Sequence, residues 1–228
     1  MRILTIFILL VTSLCTSTVY AGGVGLGVTR MVYSGSTSQS LLDVRNTNKE
    51  SSFLIQSWVE NAEGQRSSDF VITPPLFVLK PEIENSVKVM FNGQQLPQDR
   101  ETLYWITVKA IPQSGQESHA NTLQFASASR IKLFYRPDAL TKKINNEVWG
   151  SLSGEFHNGK INITNPTPFY ITTINMKVDG KAVSSVMIPP RDTVTLEESF
   201  SNARQLSYQA INDYGAWTPK ISIMLTMR

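Results

Sequence analysis

The sequence predicts an all-β fold of two sandwiches, and three observations predict it. Short runs of alternating apolar and polar residues recur from Gly22 onward, whereas helical periodicity is scarce. Gly-, Pro- and Asn-rich turn signals separate these runs at the spacing of a sandwich. One stretch, Asn121–Pro137, reads NTLQFASASRIKLFYRP and passes without Gly or Pro until its last position.

The first series of strands is read at Val28–Tyr33, Leu41–Arg45, Phe53–Glu60, Phe77–Leu79, Val87–Phe91 and Leu103–Ile111. Ser34-Gly35, Asn46–Asn48, Glu63-Gly64, Pro74-Pro75, Asn92-Gly93 and Ser114-Gly115 supply the turns between them. Trp58 and Trp105 fall mid-strand and are expected as buried aromatic anchors between the sheets. Asn121–Pro137 closes the series. Leu123, Phe125, Ile131 and Leu133 share one parity there, which gives one face an apolar stripe. Strands usually run about 3–10 residues, so this one is long. Arg130, Lys132 and Arg136 crowd its second half, which suits an edge strand offered to a partner, with a cation near its end to grip an anion.

DALTKK (138–143) is polar, lacks a period and reads as a linker. A second series follows at Gly154–His157, Lys160–Asn165, Phe169–Val178, Val186–Ile188, Thr193–Leu196, Gln205–Ile211 and Lys220–Met227. Asp179-Gly180 between two short alternating runs is a two-residue hairpin turn. The expected division is a signal segment at 1–21, one domain at 22–137, a linker at 138–143 and a second domain at 144–228.

The first 21 residues carry a secretory pattern: Arg2, an apolar run over Ile3–Leu14 and a small-x-Ala site at Val19-Tyr20-Ala21. Cleavage there would leave 207 of the 228 residues, exported and soluble. The single cysteine, Cys15, would leave with the signal, so apolar burial alone must hold the mature chain together. The formal net charge is +3, of which Arg2 supplies one. That balance is too mild to argue for nucleic acid or an anionic membrane as partner.

Catalytic constellations are missing from the sequence. His119 and His157, the two histidines, lie far apart in different predicted domains, without ligand-like neighbours at metal spacing. There is no Gly-x-Ser-x-Gly elbow and no phosphate-cradling loop before a helix, because Gly22–Gly27 precedes a strand. Asp99 and Glu101 sit in a polar turn where solvated charges are ordinary. No enzyme, metal or cofactor is called for.

Leu96–Pro112 reads LPQDRETLYWITVKAIP and closely resembles the signature of periplasmic pilus chaperones of the PapD-like chaperone/usher family. VTRMVYSG, TPPLFVLKP, RIKLFYRP, NPTPFY and INDYG match the same family, in order, from about residue 22 to 228. Thr107 stands where the family carries Asn, a departure at one local hydrogen bond. The resemblance implies two immunoglobulin-like β-sandwich domains in a bent (boomerang) arrangement. It also implies a periplasmic chaperone that binds, folds and caps pilin (fimbrial) subunits by lending them a strand, then delivers them to an outer-membrane usher.

The family's residue roles carry over by motif. Arg30 and Lys132 would bind the pilin's C-terminal carboxylate in the cleft between domains. Leu123, Phe125 and Ser127 would contact the subunit groove. Ser127 is a hydroxyl where a third large apolar side chain is expected, so the cognate subunit would have a shallower pocket there. Glu101, Arg136 and Asp213 would form interdomain salt bridges that are structural, because buried pairs specify geometry more than they add stability. The short loop Pro112–Ala120 resembles the branch serving assembled pili. An exposed donor strand also permits self-capping as a homodimer when the chaperone is free.

Two other readings compete. A two-domain immunoglobulin-like fimbrial subunit or adhesin should carry its own donor extension, and Gly22–Gly27 lacks the alternation for one. A secreted glycan-binding sandwich should expose aromatic side chains in loops, for which Trp217 is the single candidate and a packing role is expected instead.

Overall fold

The computed structural model describes residues 22–113 and 124–227. The signal segment with Cys15, most of the loop ahead of the long strand, His119 and Leu123 lie outside the described residues.

Nine strands make the first sandwich: β1 Val24–Leu26, β2 Arg30–Ser34, β3 Ser40–Asn46, β4 Phe53–Glu60, β5 Phe70–Thr73, β6 Leu76–Leu79, β7 Glu84–Phe91, β8 Thr102–Pro112 and β9 Ser127–Arg136. They form one sheet in the order β1-β3-β7-β5 and a second in the order β2-β9-β8-β4-β6. Alternation decides which side chains face inward. Leu42, Val44, Val87 and Val89 from the first sheet meet Ile55, Ile106 and Leu133 from the second in one core, all without solvent exposure. β1 and β5 are strands beyond those expected, and β1 lies within the Gly-rich Gly22–Gly27.

Trp58 and Trp105 are not core anchors. They occupy the opposite parity to Ile55, Val59, Tyr104 and Ile106, on the outer face of their sheet, and are half-buried there. The Arg66 guanidinium lies 4.6 Å from the Trp58 ring and Arg130 lies 4.2 Å from Trp105. The indole rings are covered by cations rather than by the second sheet.

The stretch read as a linker is partly structured. α1, Asp138–Thr141, is a single helical turn that follows Pro137 and buries Leu140. A 3₁₀ turn, Val148–Gly150, then places Trp149 in the second core. The second sandwich comprises β10 Ser153–His157, β11 Lys160–Asn165, β12 Ile171–Val178, β13 Lys181–Ala182, β14 Met187–Ile188, β15 Asp192–Thr195, β16 Gln205–Ala210, β17 Ile221–Met224 and β18 Thr226–Met227. Its sheets run β15-β11-β10-β18 and β13-β12-β16-β17, with β14 also pairing β12. Ile161, Ile163, Ile171, Leu206 and Tyr208 fill the core between them. The Asp179-Gly180 hairpin forms with φ of 48° and 84°, both positive as a type I′ turn requires.

Asn165, fully buried, fixes the NPTPFY segment. Its amide donates to the carbonyls of Phe169 and Pro189 at 2.7 and 3.0 Å, and its Oδ1 accepts from the Thr167 backbone at 3.0 Å. This bracing presents Pro168 and Tyr170 to the first domain.

Candidate functional site

β9 is the strand around which the site is built. Along its whole length one edge pairs antiparallel with β8, from Thr102↔Tyr135 to Ala110↔Ser127. Its other edge is covered by β2, which runs parallel to it, and only from Arg30↔Lys132 to Ser34↔Arg136. Residues 127–131 therefore keep one edge open among the described residues. An open edge is a row of backbone donors and acceptors that a further strand can complete.

Side chains on the open half follow the parity of the core. Leu133 and Tyr135 are buried, Ile131 packs against the core from its margin, and Ser127 and Phe125 continue the same parity outward. Phe125, at 77% exposed, is an apolar side chain left open among the described residues. The strand itself starts at Ser127, so the Asn121–Pro137 strand is shorter in the described residues than the sequence suggests. Leu123, the other expected donor residue, lies outside them.

Where β2 begins, two cations stand in register. Arg30 is only 7% exposed, because β2 places it between the sheet and the second domain. Its Nη1 donates to the Ile211 carbonyl at 3.0 Å, and its guanidinium lies 5.8 Å from the Phe134 ring centre. Its Nε is buried without a hydrogen-bond partner. Buried donors rarely stay unsatisfied, and such a group invites an acceptor from outside. Lys132 Nζ donates to Thr172 Oγ1 of β12 at 3.1 Å. Desolvation, reinforced by the adjacent Arg30 charge, lowers the Lys132 ammonium from 10.5 to about 8. Burial likewise lowers Arg30, against the pull of Asp213 and Glu101. Neither cation forms an ion pair among the described residues. Two positive charges, one buried and one part-buried, thus stand beside an open strand edge, a setting in which a carboxylate could form charge-assisted hydrogen bonds. A cavity of about 460 Å³, lined by Val28, Arg30, Leu41, Asp213 and Tyr214, adjoins this point on the β2 side.

The third set of expected residues comes together. Arg136 Nε donates to Glu101 Oε1 at 2.8 Å, while Nη1 and Nη2 fork onto Asp213 at 2.6 and 2.8 Å. Glu101 Oε2 accepts from the Tyr170 backbone at 2.8 Å, and Glu101 N donates to the Pro168 carbonyl. Arg136 thus bridges a carboxylate from each sandwich. Burial is the larger influence on Glu101 and pushes its carboxyl up to about 6, against the opposing pull of Arg136.

Other contacts at the site were not foreseen. Asp99 of the PQDRE turn pairs with Arg191 of the second domain at 2.6 Å, and Arg130 pairs with Glu60 at 2.8 Å. Phe134 stacks on Tyr170 with ring centres 5.4 Å apart. The INDYG turn rests on the first domain: a Cβ on Gly215, whose φ is +80°, would collide with Thr29 Oγ1. The positive φ could be read from INDYG as a turn; its contact with Thr29 could not. Thr107 Oγ1, at the departure from the family pattern, is buried without a partner. Trp217 is 64% exposed, in contrast to the packing role expected for it.

Residues 23–141 match the family described as pili and flagellar-assembly chaperone, PapD N-terminal domain, and residues 147–222 match the pili assembly chaperone PapD C-terminal domain. The probable fimbrial chaperone protein ElfD of Escherichia coli O157:H7 is 41% identical over 224 residues, covering 96% of this chain and 95% of that protein. The crystal structure of the periplasmic chaperone SfaE superposes with a TM-score of 0.75 at 42% identity, over 90% of this chain and all of that one. The complex of the Salmonella enterica SafA pilin with the SafB chaperone contains a chain that superposes with a TM-score of 0.81 at 28% identity, over 91% of this chain and 99% of that one.

Proposed function

The chain belongs to the PapD family of pili and flagellar-assembly chaperones, and from that premise we propose that it captures pilin subunits by strand donation at β9. One observation carries the reading: Arg30, buried, and Lys132, part-buried, lie together where β2 stops covering β9, with no carboxylate ion-paired to either among the described residues. A subunit's last strand would lie against residues 127–131 in line with β2, parallel to β9, with its terminal carboxylate reaching Arg30 and Lys132. Backbone pairing supplies affinity with little demand on sequence, and alternate side chains set the register. Leu123 and Phe125 would enter the subunit's groove, each worth roughly 1.5–3 kcal/mol when fully buried. Ser127 would meet a shallower part of it. Glu101, Arg136 and Asp213 serve as structure, fixing the two domains around the cleft.

The proposed organisation is a cleaved export signal at 1–21, a donor domain at 22–137, a short connection at 138–143 and a second domain at 144–228. We place the mature protein in the periplasm, a location supported by the periplasmic relative SfaE. Delivery to an outer-membrane usher would need a second contact surface. Leu54, Leu76 and Val78, exposed together on β4 and β6 at the other side of the same sheet, offer an apolar one. The free protein would hide Phe125 by self-capping as a homodimer. The fimbrial-subunit and glycan-binding readings have no comparable site: neither accounts for two desolvated cations side by side at a strand edge.

The test is affinity purification of the full chain from periplasmic extract, with mass spectrometry of what accompanies it. Pilin subunits are expected, and they should be lost when their own C-terminus is extended by added residues. Capture that is indifferent to the subunit's C-terminus would rule out the carboxylate anchor.

A further inference from the structure

The two anchor cations sit on the first domain, yet both are held by the second. Lys132 Nζ donates to Thr172 Oγ1 at 3.1 Å, and Arg30 Nη1 donates to the Ile211 carbonyl at 3.0 Å. Thr172 and Ile211 are themselves joined, because Ile211 N donates to the Thr172 carbonyl at 3.0 Å. One backbone hydrogen bond in the second sandwich therefore links the two groups that fix the anchor. A lysine ammonium swings on a flexible four-carbon stem, so a fixed acceptor decides where its charge rests. Thr172 is itself 7% exposed and has little freedom of its own.

We propose that Thr172 is a positioning residue of the carboxylate site: its hydroxyl sets Lys132 at a fixed spacing from Arg30, with Ile211 as its counterpart on Arg30. This rests on the anchor reading above and adds to it. A part-buried lysine whose ammonium has a single neutral acceptor keeps donors free for an incoming carboxylate. The second domain then contributes to subunit capture without touching the donated strand. Domain closure and anion binding become one coupled property.

The experiment uses the full mature chain and two short acetylated peptides of alternating valine and serine, identical except that one ends in a free carboxylate and the other in an amide. Wild type should prefer the free acid. Lys132→Ala should lose the preference. Thr172→Val should reduce it roughly two- to tenfold, the usual worth of one hydrogen bond, while Thr172→Ser keeps it and the unfolding midpoint barely moves. A second readout needs no variant: the Lys132 ammonium ¹⁵N resonance of free wild type should show an ordered, slowly exchanging group. Full preference in Thr172→Val, or a freely rotating Lys132 ammonium in wild type, overturns the positioning role and leaves the anchor standing. If Lys132→Ala keeps the preference, the anchor reading itself fails and the positioning role goes with it.

Discussion

Arg30 of β2 and Lys132 of β9 are cross-strand partners in a parallel pair, two like charges side by side with no carboxylate ion-paired to either among the described residues. Like charges directly opposite on a sheet are destabilising, and a bound carboxylate would relieve that cost. Lys132→Ala should therefore weaken subunit capture about ten- to a hundredfold, the range of one or two charge-assisted hydrogen bonds. Folding should be unaffected. Combined with a subunit whose carboxylate is amidated, Lys132→Ala should add little, since both changes break one contact. Isothermal titration with the four combinations measures this, and strictly additive losses would place the anchor elsewhere.

The lowered Lys132 ammonium predicts a pH-dependent capture. As pH rises through about 8 the ammonium loses its proton, and affinity for a carboxylate should fall. Chain stability should move the other way. The folded value lies below the ordinary 10.5, so between about 8 and 10.5 the unfolded state binds more protons and stability rises with pH. Glu101 faces the same cleft, and its carboxyl, pushed up to about 6 by burial, is already ionised below that window. Lys132→Arg should flatten the affinity profile. A wild-type affinity that is level from pH 7 to 9 contradicts the account.

Arg136→Ala should destabilise by roughly 3–5 kcal/mol, because it strands the buried Glu101 carboxylate beside the Tyr170 backbone. Arg136→Met, which keeps an unbranched side chain to fill the space beside Phe169 that the guanidinium now covers at 5.0 Å, should lose less order between the domains while still lacking the charge. Chemical unfolding gives the energy and small-angle scattering gives the orientation. Wild-type scattering from Arg136→Ala would show that the network does not hold the angle.

Gly215→Ala should cost about 1–2 kcal/mol for a side chain at positive φ, plus the collision with Thr29. Thr29→Ala in the same chain should recover part of the second contribution and none of the first. A double-mutant cycle on thermal midpoints separates them; if the two losses merely add, the turn does not bear on Thr29.

Thr107→Val should be neutral, or stabilising by up to about 1 kcal/mol, because it removes a buried hydroxyl without a partner while keeping its shape. Denaturant midpoints measure this. A loss beyond about 1 kcal/mol would mean the hydroxyl is satisfied in solution.

Much of this was legible in the sequence, and what was not has physical causes. Period-two alternation revealed most strands, and the family motifs named Arg30, Lys132, Glu101, Arg136 and Asp213, which the fold brings together as two constellations. Alternation alone does not say which face of a strand is the inner one. The size of Trp58 and Trp105 therefore suggests an inward position, whereas Arg66 and Arg130 cover them on the outer face. DALTKK has too few apolar residues to show a period, yet Leu140 alone finds a buried place. Thr172, Asp99–Arg191 and Gly215–Thr29 are long-range contacts between domains, for which a single sequence carries no signal.

The parallel sense of β2 and β9 has a consequence for which way round a guest can enter. A strand continuing the line of β2 with the same sense ends at Arg30 in a negative carboxylate. A free peptide threaded backwards would bring a positive amino terminus against Arg30 and Lys132, each such repulsion at about 4 Å being on the order of 1–4 kcal/mol in water or near a protein surface, and a reversed subunit strand would leave both cations without an anion. On the anchor reading, the cleft would tell head from tail by charge, before any side chain of the guest is tested against a pocket.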